Sequence, residues 1–332
     1  MQYRAIDIYH PDELEPTVKA LVTGGAGFIG SNLVRMLLAE GHSVVVLDDV
    51  SSGYEANLHP DVPFVRGDVS APGVAEDAAA GCNVIFHLAA SVGNTRSIDN
   101  PVRDSEVNVI GTLRVLEAAR THGINRVVFS SSAGIFGELK TLPIAEDHPQ
   151  DPDSPYGASK LAAEKMCLVY NKLYDMKNVC LRYFNVYGPR QRYDAYGNVI
   201  PIFAERMMRD QDVIIFGDGE QTRDFVNVAD VARANYLAGI SDTAAGSFNL
   251  GSASRISINE LARIMAEVIG KPVNIVHGDP RPGDVRDSLA AVDAAREAFG
   301  FAPSVTLESG LPEYLEWLAT DDVTMQRWSA QG

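Results

Sequence analysis

The sequence predicts an α/β fold, a doubly wound parallel sheet with a smaller C-terminal α/β part beside it. Three observations carry this. From residue 19 to about 185, short apolar runs alternate with stretches of helical periodicity. That alternation builds parallel sheets wrapped on both faces. A glycine-rich loop joins the first apolar run to the first helical stretch. Beyond about residue 185 the alternation loosens into turns punctuated by Pro and Gly.

In chain order, KALVTGG (19–25) is a short apolar run ending in glycines and reads as a buried strand. FIGSNLVRMLLAEGH has helical spacing and stops at Gly41. SVVVLDD (43–49), VPFVRGD ending at Asp68, CNVIFHLAA (82–90) and RVVFSSS (126–132) are the next four strands. EVNVIGTLRVLEAARTHG is a helix ending at Gly123, and a helix follows SPYGASK (154–160). NVCLRYFNVYG is the sixth strand. RDFVNVADVARANYLAGI reads as a strand and helix that rejoin the first domain. SINELARIMAEVIG and LESGLPEYLEWLAT are amphipathic helices of the C-terminal part. The expected division is a leader over 1–18, a dinucleotide domain over 19–182 with 223–250, and a substrate domain over 183–222 with 251–332. An irregular domain over the carboxyl edge of the strands would form the second wall of a cleft, where open sheets bind ligands.

The totals exclude several classes. The 332 residues carry 28 Lys and Arg against 44 Asp and Glu, a formal charge of −16 that disfavours nucleic acid and anionic membrane as partners. No apolar run approaches the ~18 residues of a membrane span. The N-terminal stretch is polar and acidic, without the apolar core of a signal peptide. Cys82, Cys167 and Cys180 are odd in number and widely spaced, and no metal-ligand pattern occurs. Three buried free thiols in a reducing cytoplasm are expected.

TGGAGFIG (23–30) holds Gly24, Gly27 and Gly30, and a literal GxGxxG at Gly25, Gly27 and Gly30. It follows a strand and opens a helix, the context in which the motif binds a pyrophosphate at free helix N–H groups. Asp48 ends the next strand, where a carboxylate accepts from a ribose diol and repels a 2′-phosphate, so NAD is favoured over NADP. Asp68 ends the third strand and is placed to meet adenine. This first domain is therefore Rossmann-type.

Tyr156 and Lys160 stand four residues apart on a helix. Four residues turn about 400°, so the two side chains are adjacent. Alone, they would read as a surface pair. Beside a dinucleotide loop, an ammonium would favour the phenolate, lower the tyrosine pKa toward neutrality, and make Tyr156 a proton acceptor.

Together these motifs resemble the extended short-chain dehydrogenase/reductase family, in its nucleotide-sugar epimerase/dehydratase branch. The resemblance runs from about residue 19 to 320. It rests on TGGAGFIG, HLAA (87–90), NVIGT (108–112), SSSAGIFG (130–137), YGASK (156–160), RYFNVYGPRQ (182–191), GDGEQTRDFVNVADVA (217–232) and RPGD (281–284). It implies NAD as cofactor, held by Gly24, Gly27, Phe28, Ile29, Gly30, Asp48, Asp68, Val69, Leu88, Ala89, Ala90, Asn108, Ser130, Tyr156, Lys160 and Tyr183. Lys160 would hold the nicotinamide ribose, and Ser132 would hydrogen-bond the sugar hydroxyl. Tyr156 would take the C4 proton while C4 hydride passes to NAD+, giving a 4-keto sugar.

In the dehydratases of this branch the stretch matching Ser132-Ala133-Gly134 resembles Thr-Asp-Glu, and its decarboxylases keep a Glu at the third place. Ala133 and Gly134 carry neither acid nor base, so hydride return to the opposite face, a C4 epimerisation, is the simplest fate. The resemblance places Arg223 and Arg281 on the diphosphate, Asn185 on the UDP-sugar and Asp284 at the nucleotide ribose, with Arg96 lining the sugar pocket. Ser288 stands where galactose-type epimerases have a pocket-closing tyrosine, which leaves room for UDP-N-acetylglucosamine beside UDP-glucose; a simply solvent-exposed serine is the competing reading. A homodimer through the helices near 101–121 and 156–174 is expected from the resemblance. The alternatives are a dehydratase, decarboxylase or other epimerase such as one for UDP-glucuronate, and, from another class, a catalytically silent NAD(H)-sensing protein.

Overall fold

A computed structural model describes residues 17–194, 198–280 and 285–331. Seven parallel strands form the central sheet: β1 (Lys19–Thr23), β2 (Ser43–Asp48), β3 (Phe64–Arg66), β4 (Val84–His87), β5 (Val127–Ser132), β6 (Val179–Tyr183) and β11 (Gly246–Leu250). Their order is β11-β6-β5-β4-β1-β2-β3. The order reverses at β1, so a crevice opens at the carboxyl ends of β1 and β4. Six strands fall where the sequence places them. The seventh, β11, was not expected, because GSFNL is short and rich in residues with weak strand preference. It completes the sheet edge beside β6.

The strands bury both faces. Ala20, Val22, Val46, Phe86 and Val128 point into one core with α1 (Phe28–Ala39) and α8 (Val228–Ile240). Leu21, Leu47, Ile85, Val127 and Phe129 point into the other, covered by α2 (Val74–Ala79), α5 (Gly111–Thr121) and α6 (Pro155–Tyr174). Consecutive residues serve opposite cores, which explains why these strands read as unbroken apolar runs. Two short helices, α3 (Asn94–Asp99) and α4 (Pro101–Ser105), precede a π-helical turn at Glu106–Ile110 that runs into α5.

The apolar run expected as one sixth strand divides in two. β6 ends at Tyr183, and Asn185 turns its amide to the Asp224 carbonyl at 3.2 Å. β7 (Asn185–Tyr187) thus leaves the sheet and pairs with β10 (Phe225–Asn227). Two other pairs lie outside the sheet: β8 (Val213–Phe216) parallel with β13 (Ile275–Gly278), and β9 (Thr222–Arg223) antiparallel with β12 (Ile256–Ser257). With α7 (Val199–Met208), α9 (Ile258–Ile269) and α11 (Leu307–Thr320) they enclose a third core around Phe203, Met207, Ile215, Leu261, Met265 and Tyr314. Helices α10 (Asp293–Phe299) and α12 (Asp322–Gln331) complete the chain. Among the described residues no helix is long and apolar enough to cross a membrane. All three cysteines are buried and free.

Candidate active site

The glycine loop turns sharply between β1 and α1. Gly24 has φ +74°, and a Cβ there would lie 2.6 Å from the Ala89 amide nitrogen. A Cβ on Gly30 would lie 2.1 Å from the Gly24 carbonyl oxygen, so α1 approaches the loop backbone as closely as only glycine allows. Gly27 caps α1, leaving the first amides of that helix without helical partners.

Asp48 ends β2 and ties this loop down. Its Oδ2 accepts from the Ala26 amide at 2.9 Å and its Oδ1 from the Val50 amide at 2.7 Å. Burial holds its carboxyl above the ordinary value, against the pull of those two amides. A cleft of about 400 Å³ opens here, lined by Gly24, Gly27, Asp48, Asp68, Val69, Ala89, Ala90 and Arg96. Glycines at a helix N-terminus, a strand-end carboxylate and this volume fit a dinucleotide.

Other expected residues stand outside that lining. Phe28, Ile29 and Leu88 pack against the core beneath it. Asn108 is buried and its amide is used by the protein: Oδ1 accepts from the Ser91 amide at 2.9 Å, and Nδ2 donates to the Ser91 carbonyl at 3.0 Å. Tyr183 is buried and donates to Asn235 Oδ1 at 2.9 Å. Asp68 already has partners: the Ser70 amide (2.8 Å), the Ser70 hydroxyl (2.7 Å) and Arg103 Nη2 (2.8 Å). Burial would raise its carboxyl, but Ser70 and Arg103 together hold it below the usual range. Arg103, which also stands 3.9 Å from Asp49, is a cleft residue that sequence reasoning missed. Its pairing is tertiary and leaves no local pattern.

The second half of the site lies on α6 and the end of β5. Ser154 caps α6 by accepting from the Gly157 amide at 3.1 Å, and Pro155 occupies the first turn, where its missing N–H is harmless. A Cβ on Gly157 would lie 2.3 Å from the Gly134 carbonyl oxygen. The first turn of α6 therefore lies directly on the short turn after β5. This contact brings Tyr156 beside Ser132, whose hydroxyl favours the phenolate. Ser132 Oγ also accepts from the Gly134 amide at 3.1 Å. A Cβ on Gly134 would stand 3.3 Å from Ser132 Oγ and 3.7 Å from Tyr156 Cε1, so a side chain at 134 would enter the site itself.

Lys160 is buried under the same helix face. Its Nζ donates to the Ser130 carbonyl at 2.7 Å and lies 3.4 Å from Ser130 Oγ, 4.9 Å from the Phe129 ring centre. Burial lowers its pKa to about 8. The expected lowering of Tyr156 is not found. The phenol is pushed up, because burial outweighs the pull of the Ser132 hydroxyl and the negative Asp104 adds to the rise. The ammonium that was to favour the phenolate is turned toward Ser130.

One turn beyond Lys160, Glu164 continues the face, and neither it nor its partner was singled out from the sequence. Glu164 and Arg182 form a fully buried ion pair at 2.7 Å. Ser131 and Ser247 donate to the same carboxylate at 2.6 and 2.8 Å. Burial alone would raise Glu164; the Arg182 fork and the two hydroxyls win and hold it below its ordinary value. The pair fixes α6 to β5, β6 and β11. Its signal was the i, i+4, i+8 spacing from Tyr156, followed by an arginine inside an apolar strand.

On the substrate side, Asn185 Nδ2 donates to the Asp224 carbonyl at 3.1 Å, and Arg223 Nη1 to the Thr222 carbonyl at 2.8 Å. Asp224 is buried and accepts from the Ser252 amide (2.6 Å), the Ser252 hydroxyl (2.7 Å) and the Ala290 amide (3.1 Å), which holds the backbone at 224 between two chain segments. Arg96 reaches Asp194 at 2.5 Å across the cleft mouth. Ser288 is buried, not solvent-exposed. Arg281 and Asp284 lie outside the described residues.

Residues 20–251 match the NAD dependent epimerase/dehydratase family. The chain is 42% identical to a UDP-glucose 4-epimerase of Mycolicibacterium smegmatis, over 90% of this chain and 98% of that protein. It is similar to the crystal structure of a UDP-glucose 4-epimerase from Thermotoga maritima with UDP-glucose, at 38% identity and TM-score 0.87, covering 91% of this chain and 98% of that one. It is also similar to a UDP-N-acetylglucosamine 4-epimerase from Methanobrevibacter ruminantium in complex with UDP-N-acetylmuramic acid, at 33% identity and TM-score 0.87, covering 92% and 99%.

Proposed function

The chain belongs to the NAD dependent epimerase/dehydratase family, and from that premise we propose that it is an NAD-dependent UDP-sugar 4-epimerase. It interconverts UDP-glucose and UDP-galactose, with the N-acetylated pair as a further substrate class suggested by the small residue at Ser288. One observation carries the reading. The Tyr156–Ser132 pair borders Gly134, so no acid or base stands at that position.

NAD, when bound, supplies the hydride acceptor and donor for C4 and a positive ring that favours a phenolate nearby. Ser132 orients the C4 hydroxyl, and Tyr156 takes its proton. Lys160 carries positive charge beneath the cofactor site. Once the 4-keto sugar has turned over and regained its hydride on the opposite face of C4, Tyr156 returns the proton to the C4 oxygen. Arg223, with Arg281, faces the diphosphate, whose charge suits a guanidinium fork. Dehydration would require an acid and a base at 133 and 134, which Ala133 and Gly134 do not supply. Residues 19–182 with 223–250 form the cofactor domain in this reading, and 183–222 with 251–332 the substrate domain.

The protein is a cytoplasmic homodimer in this reading. Three buried free thiols suit a reducing compartment. Ile98 and Val102 before the π-turn, and Val169, Leu173 and Tyr174 on α6, are large apolar residues between 41 and 69% exposed, as a helix-to-helix interface would leave them in a single chain. The test is purified protein with UDP-glucose, UDP-galactose and their N-acetyl forms, without added NAD, followed by NMR. A 4-epimer of unchanged mass is expected. A deoxy or absent product would overturn the reading.

A further inference from the structure

Asp104 lies outside every motif discussed above. It sits at the end of α4, 1% exposed. Its Oδ2 accepts from Ser159 Oγ at 2.5 Å and its Oδ1 from Asn108 Nδ2 at 3.2 Å. Among the described residues no cationic side chain pairs with it. A carboxylate so deeply buried, with two neutral donors, is costly unless a charge answers it.

The answering charge is Lys160. This ammonium is 2% exposed and touches no carboxylate; its contacts are Ser130 and the Phe129 ring. Ser159, the residue before Lys160, joins Asp104 to this helix: its Oγ donates to Asp104 and stands 3.0 Å from the Tyr156 carbonyl oxygen. Both charges lie in one interior, where Coulomb interactions are little screened.

The other ionisable groups around Lys160 are already committed. On its own helix, Glu164 is held by Arg182, Cys167 is a buried thiol, and Tyr156 is the phenol under discussion. Cys180, on β6, is buried as well. On β4, His87 is fully buried between Thr23 Oγ1 (2.7 Å) and Thr112 Oγ1 (3.0 Å), and burial with the Lys160 charge takes it down to about 3, so it is neutral. Asp104 is the carboxylate left to face the pair.

We propose that Asp104 is a positioning residue whose charge, set across Ser159 from Tyr156 and Lys160, fixes the pH window in which the two work together. This rests on the epimerase reading for what the window governs. The negative charge acts on both partners in one direction. It opposes the burial that strips the proton from Lys160, and it also makes Tyr156 hold its proton. Removing it moves both titrations toward acid. A purely structural residue would lower the rate without moving either.

The experiment compares wild type, Asp104→Asn and Ser159→Ala, each with its bound NAD. Two readouts are used: the pH–rate profile of epimerisation, and the NMR titration of Tyr156 in protein carrying ¹³Cζ-tyrosine, assigned with Tyr156→Phe. In Asp104→Asn both limbs of the profile, and the Tyr156 titration, are expected to move to lower pH by about one unit. In Ser159→Ala, which keeps the charge, they are expected to stay within a few tenths.

Profiles of Asp104→Asn that overlay wild type overturn the proposal. So does a Ser159→Ala shift as large as that of Asp104→Asn, which would assign the effect to the hydrogen bond. If Asp104→Asn does not fold, Asp104→Ser is read in its place; failure of both makes Asp104 structural and the proposal wrong. A wild type without epimerase activity would refute the functional reading, and the tyrosine titration would still decide the role of Asp104.

Discussion

The floor of the cleft and its outer wall are built differently. The floor is α6 with the ends of β5 and β6. It is held by the buried Glu164–Arg182 pair, by the contact of Gly157 on Gly134, and by the Ser159–Asp104 bond. The outer wall is made of short strand pairs and turns, where Arg223 and Asn185 rest on backbone carbonyls and Arg96 reaches Asp194 at the rim. In the proposed function, the floor fixes the proton-handling groups in place with buried charge, and the wall presents charge to a diphosphate that arrives with charge of its own. Chemistry needs exact placement, whereas diphosphate recognition tolerates adjustable arms.

Substitutions should follow that division. Tyr156→Phe removes the proposed proton acceptor and should cost roughly 10²–10⁴-fold in kcat with bound NAD retained, read by coupled assay and cofactor absorbance. Unchanged kcat would break the comparison at its centre. Glu164→Gln leaves Arg182 buried without its counter-charge and should cost about 3–5 kcal/mol in urea unfolding at pH 7. Glu164 titrates below its ordinary value in the folded protein. Its stabilisation is therefore present above the usual glutamate range and is lost as pH falls through the lowered value. The gap between wild type and Glu164→Gln should narrow on acidification. A gap that widens would reverse the sign assigned to this pair.

Gly157→Ala sets a methyl group 2.3 Å from the Gly134 carbonyl oxygen. The helix must shift, at a cost of about 1–3 kcal/mol, and kcat should fall with the melting temperature. A fall in stability alone would separate the two. On the wall, Arg223→Ala should raise KM about tenfold with kcat and melting temperature nearly unchanged. A fall in kcat as large as that of Tyr156→Phe would place Arg223 with the floor.

The parts readable in sequence are those whose physics is local. The glycines of TGGAGFIG, Asp48 at a strand end and the four-residue step from Tyr156 to Lys160 each encode a backbone need or a helical spacing. The sequence-based lowering of the Tyr156 pKa did not survive, because spacing says nothing of burial or of where Lys160 turns its ammonium. Glu164 finds Arg182 across 18 residues, and Arg103 finds Asp68 across 35. Such partners are chosen by the packed sheet and leave no periodic mark. GSFNL becomes a strand because β6 offers it an edge.

The central claim is that these residues move a proton and a hydride at C4 and nothing else. The most direct measurement uses UDP-glucose carrying deuterium at C4, incubated with the purified protein without added NAD and followed by NMR and mass spectrometry. The account predicts UDP-galactose that keeps its deuterium at C4, formed at least about a hundredfold more slowly by Tyr156→Phe. Deuterium lost to solvent, or a product of altered mass, would contradict it.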